Sequence, residues 1–214
     1  MICDSLDKRI SFDYNNCKPN LQNISLQLEE SPVKKNSIKQ ITVTAMFVAL
    51  TIVLSQIAIP LPFTDVPLSL ATLAVFLSGA VLGPARGTIA QAVYVVMGLV
   101  GLPVFANFSG GFARVLGPTG GYIWGYIVAA FLIGLIVSKA GRHFWIYPVA
   151  MAAGMAGCYA LGTAWYMIYA GVNIWAALLL CVVPFLVGDA IKIVLASVLA
   201  YRLRPVLGRM AAAA

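Results

Sequence analysis

The sequence predicts an all-α integral membrane protein, a bundle of six transmembrane helices, on three observations. The first is composition: 61% of the 214 residues are hydrophobic and 10% are charged, with a mean hydropathy of +0.93, whereas soluble domains run at about 45–50% apolar and about 25% charged. A soluble fold of this length has too little interior to hide that much apolar surface. The second is that the apolar residues fall into runs punctuated by Pro and Gly, several of them near the lower end of what crosses roughly 30 Å of hydrocarbon. The third is that the formal charge of +7 sits between those runs, as orienting loop charges do. It forms no single basic stripe of the kind that binds nucleic acid.

The elements can be placed in order. Residues 1–37 form a polar leader rich in Asp, Glu, Lys, Asn and Ser, expected to be disordered. It has no apolar stretch of the length a secretory signal needs. Residues 38–205 form the six-helix membrane domain, and 206–214 a short tail. Span one covers about 38–59 and ends at Pro60 and Pro62, which cannot continue a helix. Span two covers 68–82 and stops at Gly83-Pro84. Span three covers 87–102 and stops at Pro103. A Gly-rich loop, 104–117, leads through Pro118 into span four, 122–137. Span five covers 145–170. The apolar piece 174–183 is too short to cross alone and reads as a lip at the membrane surface, because Pro184 suits the first turn of span six, 184–203.

With six spans, one side of the membrane receives Lys34, Lys35, Lys39, Arg86, Lys139, Arg142, Arg202, Arg204 and Arg209, and the other receives Arg114. Cytoplasmic loops carry the excess of Lys and Arg, so both termini are expected to be cytoplasmic. The loops after spans one, three and five then face outward.

From Ile41 onward the acids are Asp65 and Asp189. An ionisable residue inside a span is expensive and marks a candidate site. Asp189 and Lys192 are three apart and share a helix face. A functional site or a structural ion pair both fit that spacing. In span three, Gln91 and Tyr94 lie on one face with Gly98 a turn further, suited to a ligand wall or to close helix packing. In the outer loop, Asn107 offers donors and an acceptor, and Arg114 supplies a forked cation suited to a carboxylate. Phe105 and Tyr122 can cover an apolar ligand. Ala45 and Ala49 place two small residues one turn apart on span one, where another helix can approach closely.

Catalytic arrangements are missing from the sequence. No GxxxxGK[ST] phosphate loop and no HExxH occur. The one histidine, His143, falls in a charged loop, and one intramembrane acid is too few for a two-aspartate protease. The four cysteines have no metal-ligand spacing. The chain is therefore expected to be no enzyme and to bind no cofactor or metal of its own.

Several runs resemble one family. Gly101-Leu-Pro-Val-Phe-Ala, Ser109-Gly-Gly111, Gly117-Pro-Thr-Gly-Gly-Tyr122 and Pro184-Phe-Leu-Val-Gly-Asp189-Ala-Ile-Lys192 look like the signature of BioY proteins. These are the biotin-binding S components of energy-coupling-factor (ECF) transporters. Ser55-Gln-Ile-Ala-Ile-Pro60 and Leu82-Gly-Pro-Ala-Arg-Gly87 also fit, and the resemblance covers about residues 40–205. It implies a six-helix bundle of the ECF S-component type and a biotin pocket near the outer face. It further implies an ECF module as partner, made of a transmembrane coupling subunit and two ATPase subunits that use ATP. Ala45 and Ala49 match the contact such components make with that module. On this resemblance Asp189, Lys192, Asn107, Arg114, Tyr94, Gln91, Phe105 and Tyr122 are the expected biotin-binding residues. One departure stands out. The family carries Val-Pro-x-Thr-x-Gln before span two, where this chain has Val66-Pro-Leu-Ser69-Leu-Ala71. An S component for another vitamin, or for a biotin precursor, is the nearest alternative. A membrane-embedded enzyme or assembly factor using Asp189 and Lys192 is the alternative from a different class.

Overall fold

The computed structural model describes residues 35–62, 64–140 and 143–212. The chain divides into the units Met1–Ile38 and Lys39–Ala214, and the second carries the architecture below. The expected leader, 1–37, lies outside the described residues except for the helical backbone of its last three. Helix α1 (Lys35–Gln56) buries a narrow stripe made by Phe47, Val48, Thr51 and Ser55, spaced at helical periodicity. Val43, Leu50 and Ile52 flank that stripe half-buried against the core, while Ile41, Met46 and Val53 are exposed, as a lipid-facing surface is.

The segment after α1 departs from the all-α expectation. Strands β1 (Ala58–Leu61) and β2 (Thr64–Ser69) form an antiparallel hairpin, pairing Ala58 with Ser69, Ile59 with Leu68 and Leu61 with Thr64. The helix stops at Gln56, ahead of Pro60 and Pro62, which were expected to end it after residue 59. Because a two-stranded ribbon has no central strand, the prolines of this segment can sit where no ladder hydrogen bond is needed.

Helix α2 (Ala71–Leu82) is short and buried along most of its length. It turns at Gly83, whose φ of 81° suits glycine, into α3 (Pro84–Leu99), with Pro84 in the first turn. The loop after α3 contains the turn Ala106–Phe108 and a one-turn helix, α4 (Phe112–Leu116). Helices α5 (Gly120–Lys139) and α6 (Ile146–Ala170) make the most extensive helix pair in the bundle. Their backbones approach so closely that a Cβ at Gly121 would stand 2.7 Å from the Leu161 carbonyl, and one at Gly154 3.1 Å from that of Ala129.

The apolar piece after α6 is a separate short helix, α7 (Ile174–Cys181), capped by the Asn173 carboxamide, which accepts from Ala176 N–H at 2.9 Å. Pro184 then falls in the first turn of α8 (Val183–Ala212), as expected. Helix α8 runs on past 205, with Pro205 inside it, where the sequence suggested a tail. At its far end Arg204 donates to the Val137 carbonyl at 3.2 Å, satisfying one of the orphan acceptors in the last turn of α5.

Six main helices are therefore present among the described residues. Four contain apolar stretches long enough to cross a membrane: Ile38–Gln56, Gly120–Lys139, Ile146–Ala170 and Val183–Pro205. Span two is shorter than expected because Leu68 and Ser69 belong to the hairpin and Leu70 to its turn. Span three keeps its expected length but starts three residues earlier, at Pro84, and leaves Val100–Leu102 to the loop.

Candidate functional site

The hairpin, the loop after α3, and helices α4 and α7 gather at one end of the bundle around a cavity. Its empty space, counted out through an open mouth and including solvent there, is about 710 Å³. The wall combines apolar and aromatic surface with a few polar groups, the usual make-up of a pocket that orients a small ligand.

The polar centre is built by α8. Asp189 and Lys192 are buried and joined at 3.0 Å between Oδ1 and Nζ. Lys192 Nζ also donates to the Ser69 carbonyl at 2.6 Å and to Thr72 Oγ1 at 3.1 Å. An ammonium group has three protons, so these contacts commit all of them. The other carboxylate oxygen, Oδ2, accepts from the Tyr159 hydroxyl. Each carboxylate oxygen keeps a further lone pair, so this end of the cavity presents an oriented acceptor.

The aromatic wall comes from three elements. Tyr94 on α3 meets Phe105 of the loop edge-to-face, with centroids 5.5 Å apart. Phe105 reaches that position because α3 has Gly98 beneath it, where a Cβ would overlap the ring at 2.0 Å. Tyr122 on α5 stands edge-to-face with Tyr159 at 6.5 Å and donates to the Cys181 carbonyl at 3.1 Å, tying α5 to α7. Arg114 lines the cavity from α4. Among the described residues, no hydrogen bond or ion pair engages its guanidinium.

Of the eight residues singled out in the sequence, Asp189, Lys192, Arg114, Tyr94, Phe105 and Tyr122 line this one cavity. Gln91 and Asn107 stand elsewhere. Gln91 is fully buried between three helices, where its Nε2 donates to Thr51 Oγ1 at 3.2 Å and to Ser78 Oγ at 2.9 Å. Its amide ties α3 to α1 and α2. Asn107 is exposed at the tip of the loop with φ 58° and ψ 41°, a left-handed conformation that Asn tolerates better than most residues. Ala45 and Ala49 lie on the exposed side of α1.

The sequence reading missed Tyr159 and the Thr72 hydroxyl. Met155, Tyr159 and Gly162 recur at i, i+4 and i+7, which puts Tyr159 at the edge of the stripe α6 buries against α5. That spacing was the available signal. Thr72 had none, since its partner lies 120 residues away. Ser69 and Ala71, where the sequence departs from the pattern it resembles, both line the cavity.

Comparison with known proteins agrees with this architecture. The profile of the BioY family matches residues 26–209. The Biotin transporter BioY of Thermotoga maritima is 43% identical over 166 residues, 78% of this chain and 96% of that protein. The Biotin transporter BioY of Rhodobacter capsulatus is 37% identical over 179 residues, 76% and 91% of the two chains. Among solved structures, the S-component for biotin from an ECF-type ABC transporter superposes with a TM-score of 0.76 at 29% identity, covering 81% of this chain and 94% of that one. With four helices fit to cross a membrane and a family profile spanning most of its length, this is a multi-pass membrane protein and belongs to the BioY family.

Proposed function

We propose that the protein takes up biotin across the cytoplasmic membrane, as the substrate-binding S component of an ECF transporter. The observation that carries the reading is the cavity itself. It has an oriented carboxylate at its polar centre, an aromatic wall, and an arginine not engaged by any other described residue. Biotin has matching parts: two ureido N–H donors, an apolar fused ring and a carboxylate on a flexible chain. In this reading Asp189 accepts from a ureido N–H, while Lys192 and Tyr159 hold the carboxylate in place. Tyr94, Phe105 and Tyr122 pack on the ring and chain. Arg114 meets the biotin carboxylate, where a charge-assisted bidentate bond is strongest. The relatives' names and the family membership support biotin as the ligand.

The chain catalyses no reaction and binds no cofactor of its own. Energy comes from an ECF module, in which a transmembrane coupling subunit contacts the Ala45/Ala49 face of α1 and two ATPase subunits use ATP. The nine-to-one distribution of loop cations supports cytoplasmic termini and an outward-facing cavity.

The test is equilibrium binding of labelled biotin to detergent-purified protein made without partner subunits. Saturable, near-stoichiometric binding, competed by biotin and not by riboflavin or thiamine, is the expected result. Folded protein that binds no biotin would overturn the reading. A second expectation concerns the carboxylate contact. The Arg114→Ala variant discriminates less than the parent between biotin and an uncharged biotin amide, and equal discrimination by both proteins would remove Arg114 from that role.

A further inference from the structure

We infer that Gln56, the last residue of α1, is a positioning residue that latches the loop 103–109 over the cavity and sets how long a ligand is retained. The inference rests on the reading of the cavity as the biotin site. Three observations carry it.

First, this loop supplies Phe105 and Ala106 to the cavity wall, so its position decides whether that side of the site is closed. Second, the loop's tip is an unfavourable turn for its sequence. Phe105 N–H donates to the Ser109 carbonyl at 2.9 Å, and Ser109 N–H reaches back to the Ala106 carbonyl at 3.4 Å. The two residues between, Asn107 and Phe108, both have positive φ, 58° and 53°. This is the geometry of a primed hairpin turn, which favours Asn followed by Gly. Here Phe occupies the glycine position, where a bulky residue at positive φ is strained. Phe108 is 73% exposed, so little packing compensates that strain.

Third, the external bond to that tip comes from Gln56. Its Oε1 accepts from Phe108 N–H at 2.9 Å, while its Nε2 donates to the Val104 carbonyl at 3.1 Å. One carboxamide thus grips the loop on both sides of Phe105. Ser55 adds a bond from its hydroxyl to the same Val104 carbonyl at 2.6 Å. The loop's base is tied independently by Gly111 N–H on the Gly98 carbonyl at 2.7 Å, so releasing Gln56 frees the tip without detaching the loop.

The experiment measures association and dissociation of labelled biotin, together with hydrogen–deuterium exchange across 103–111 in ligand-free protein. The Gln56→Ala variant is expected to release biotin about tenfold faster, with association changed by less than about twofold. Exchange in 103–111 rises and the thermal midpoint holds. In the Gln56→Ala background, Phe108→Gly gives the turn its preferred residue and recovers at least about a third of the lost retention. An unchanged dissociation rate and unchanged exchange in Gln56→Ala would overturn the latch, as would a complete failure of Phe108→Gly to restore retention. If the wild-type protein retains no biotin, the functional reading fails, and the exchange arm still decides whether Gln56 holds the loop.

Discussion

Replacing Lys192 with Met is expected to destabilise the protein by about 3–5 kcal/mol, the cost of leaving one member of a buried ion pair without its partner. The side chains of Lys192 and Asp189 are 7% and 6% exposed, so neither can recover its hydration by a small rotation. Met has a length close to that of lysine and fills the same space, which confines the loss to charge and hydrogen bonds. The Ser69 carbonyl and the Thr72 hydroxyl lose a donor at the same time. Adding Asp189→Asn to Lys192→Met removes the second charge, and stability should return most of the way, since replacing both members of a buried pair is often neutral. Binding should not return with it. Asp189→Asn alone is expected to weaken biotin binding at least about tenfold, or about 1.4 kcal/mol. The checks are thermal unfolding in detergent and equilibrium biotin binding on the two single variants and the double. A double variant no more stable than Lys192→Met, or one that binds biotin like wild type, would refute the account.

The second large effect concerns packing. Gly134→Ala should lower stability by more than the roughly 1–3 kcal/mol of ordinary overpacking, because what a new methyl meets there is backbone. A Cβ at Gly134 would stand 2.5 Å from Pro84 N and 2.6 Å from Gly83 C and Pro84 Cα. None of these can rotate aside, so α5 has to move away from the turn between α2 and α3. Gly157→Ala is the matched control. Its new methyl meets the flexible end of Leu132 at 2.9 Å, and its effect should stay under about 1 kcal/mol, helped by the higher helix propensity of Ala. Similar thermal midpoints for the two variants would refute the argument.

Much of this was legible in the sequence, for physical reasons that differ by element. The separation of α7 from α8 could be read because Pro184 has no N–H to give a helix interior and none is needed in a first turn. The pairing of Asp189 with Lys192 could be read because it is local, three residues along one helix. Chemistry that depends on distant partners was not legible. Gln91 has the residue type of a ligand contact, but Thr51 and Ser78 arrive from two other helices and use its amide. Asn107 has the same ambiguity, and its backbone conformation explains the choice of residue. The hairpin was missed because its prolines signal both the end of a helix and the absence of a strand. An isolated two-stranded ribbon satisfies the first signal and escapes the second.

The shortness of α2 has a consequence for biogenesis. At 12 residues and about 1.5 Å per residue, it extends about 18 Å, well short of the roughly 30 Å of hydrocarbon it would have to bridge alone. Its buried side chains face α5 and α8 as well as α3, and both of the first two are translated later. Released from the translocon by itself, α2 would leave its ends' unsatisfied backbone groups within lipid. It can be seated in its final position only once α5 and α8 have been synthesised, so the first half of the chain must wait for the second.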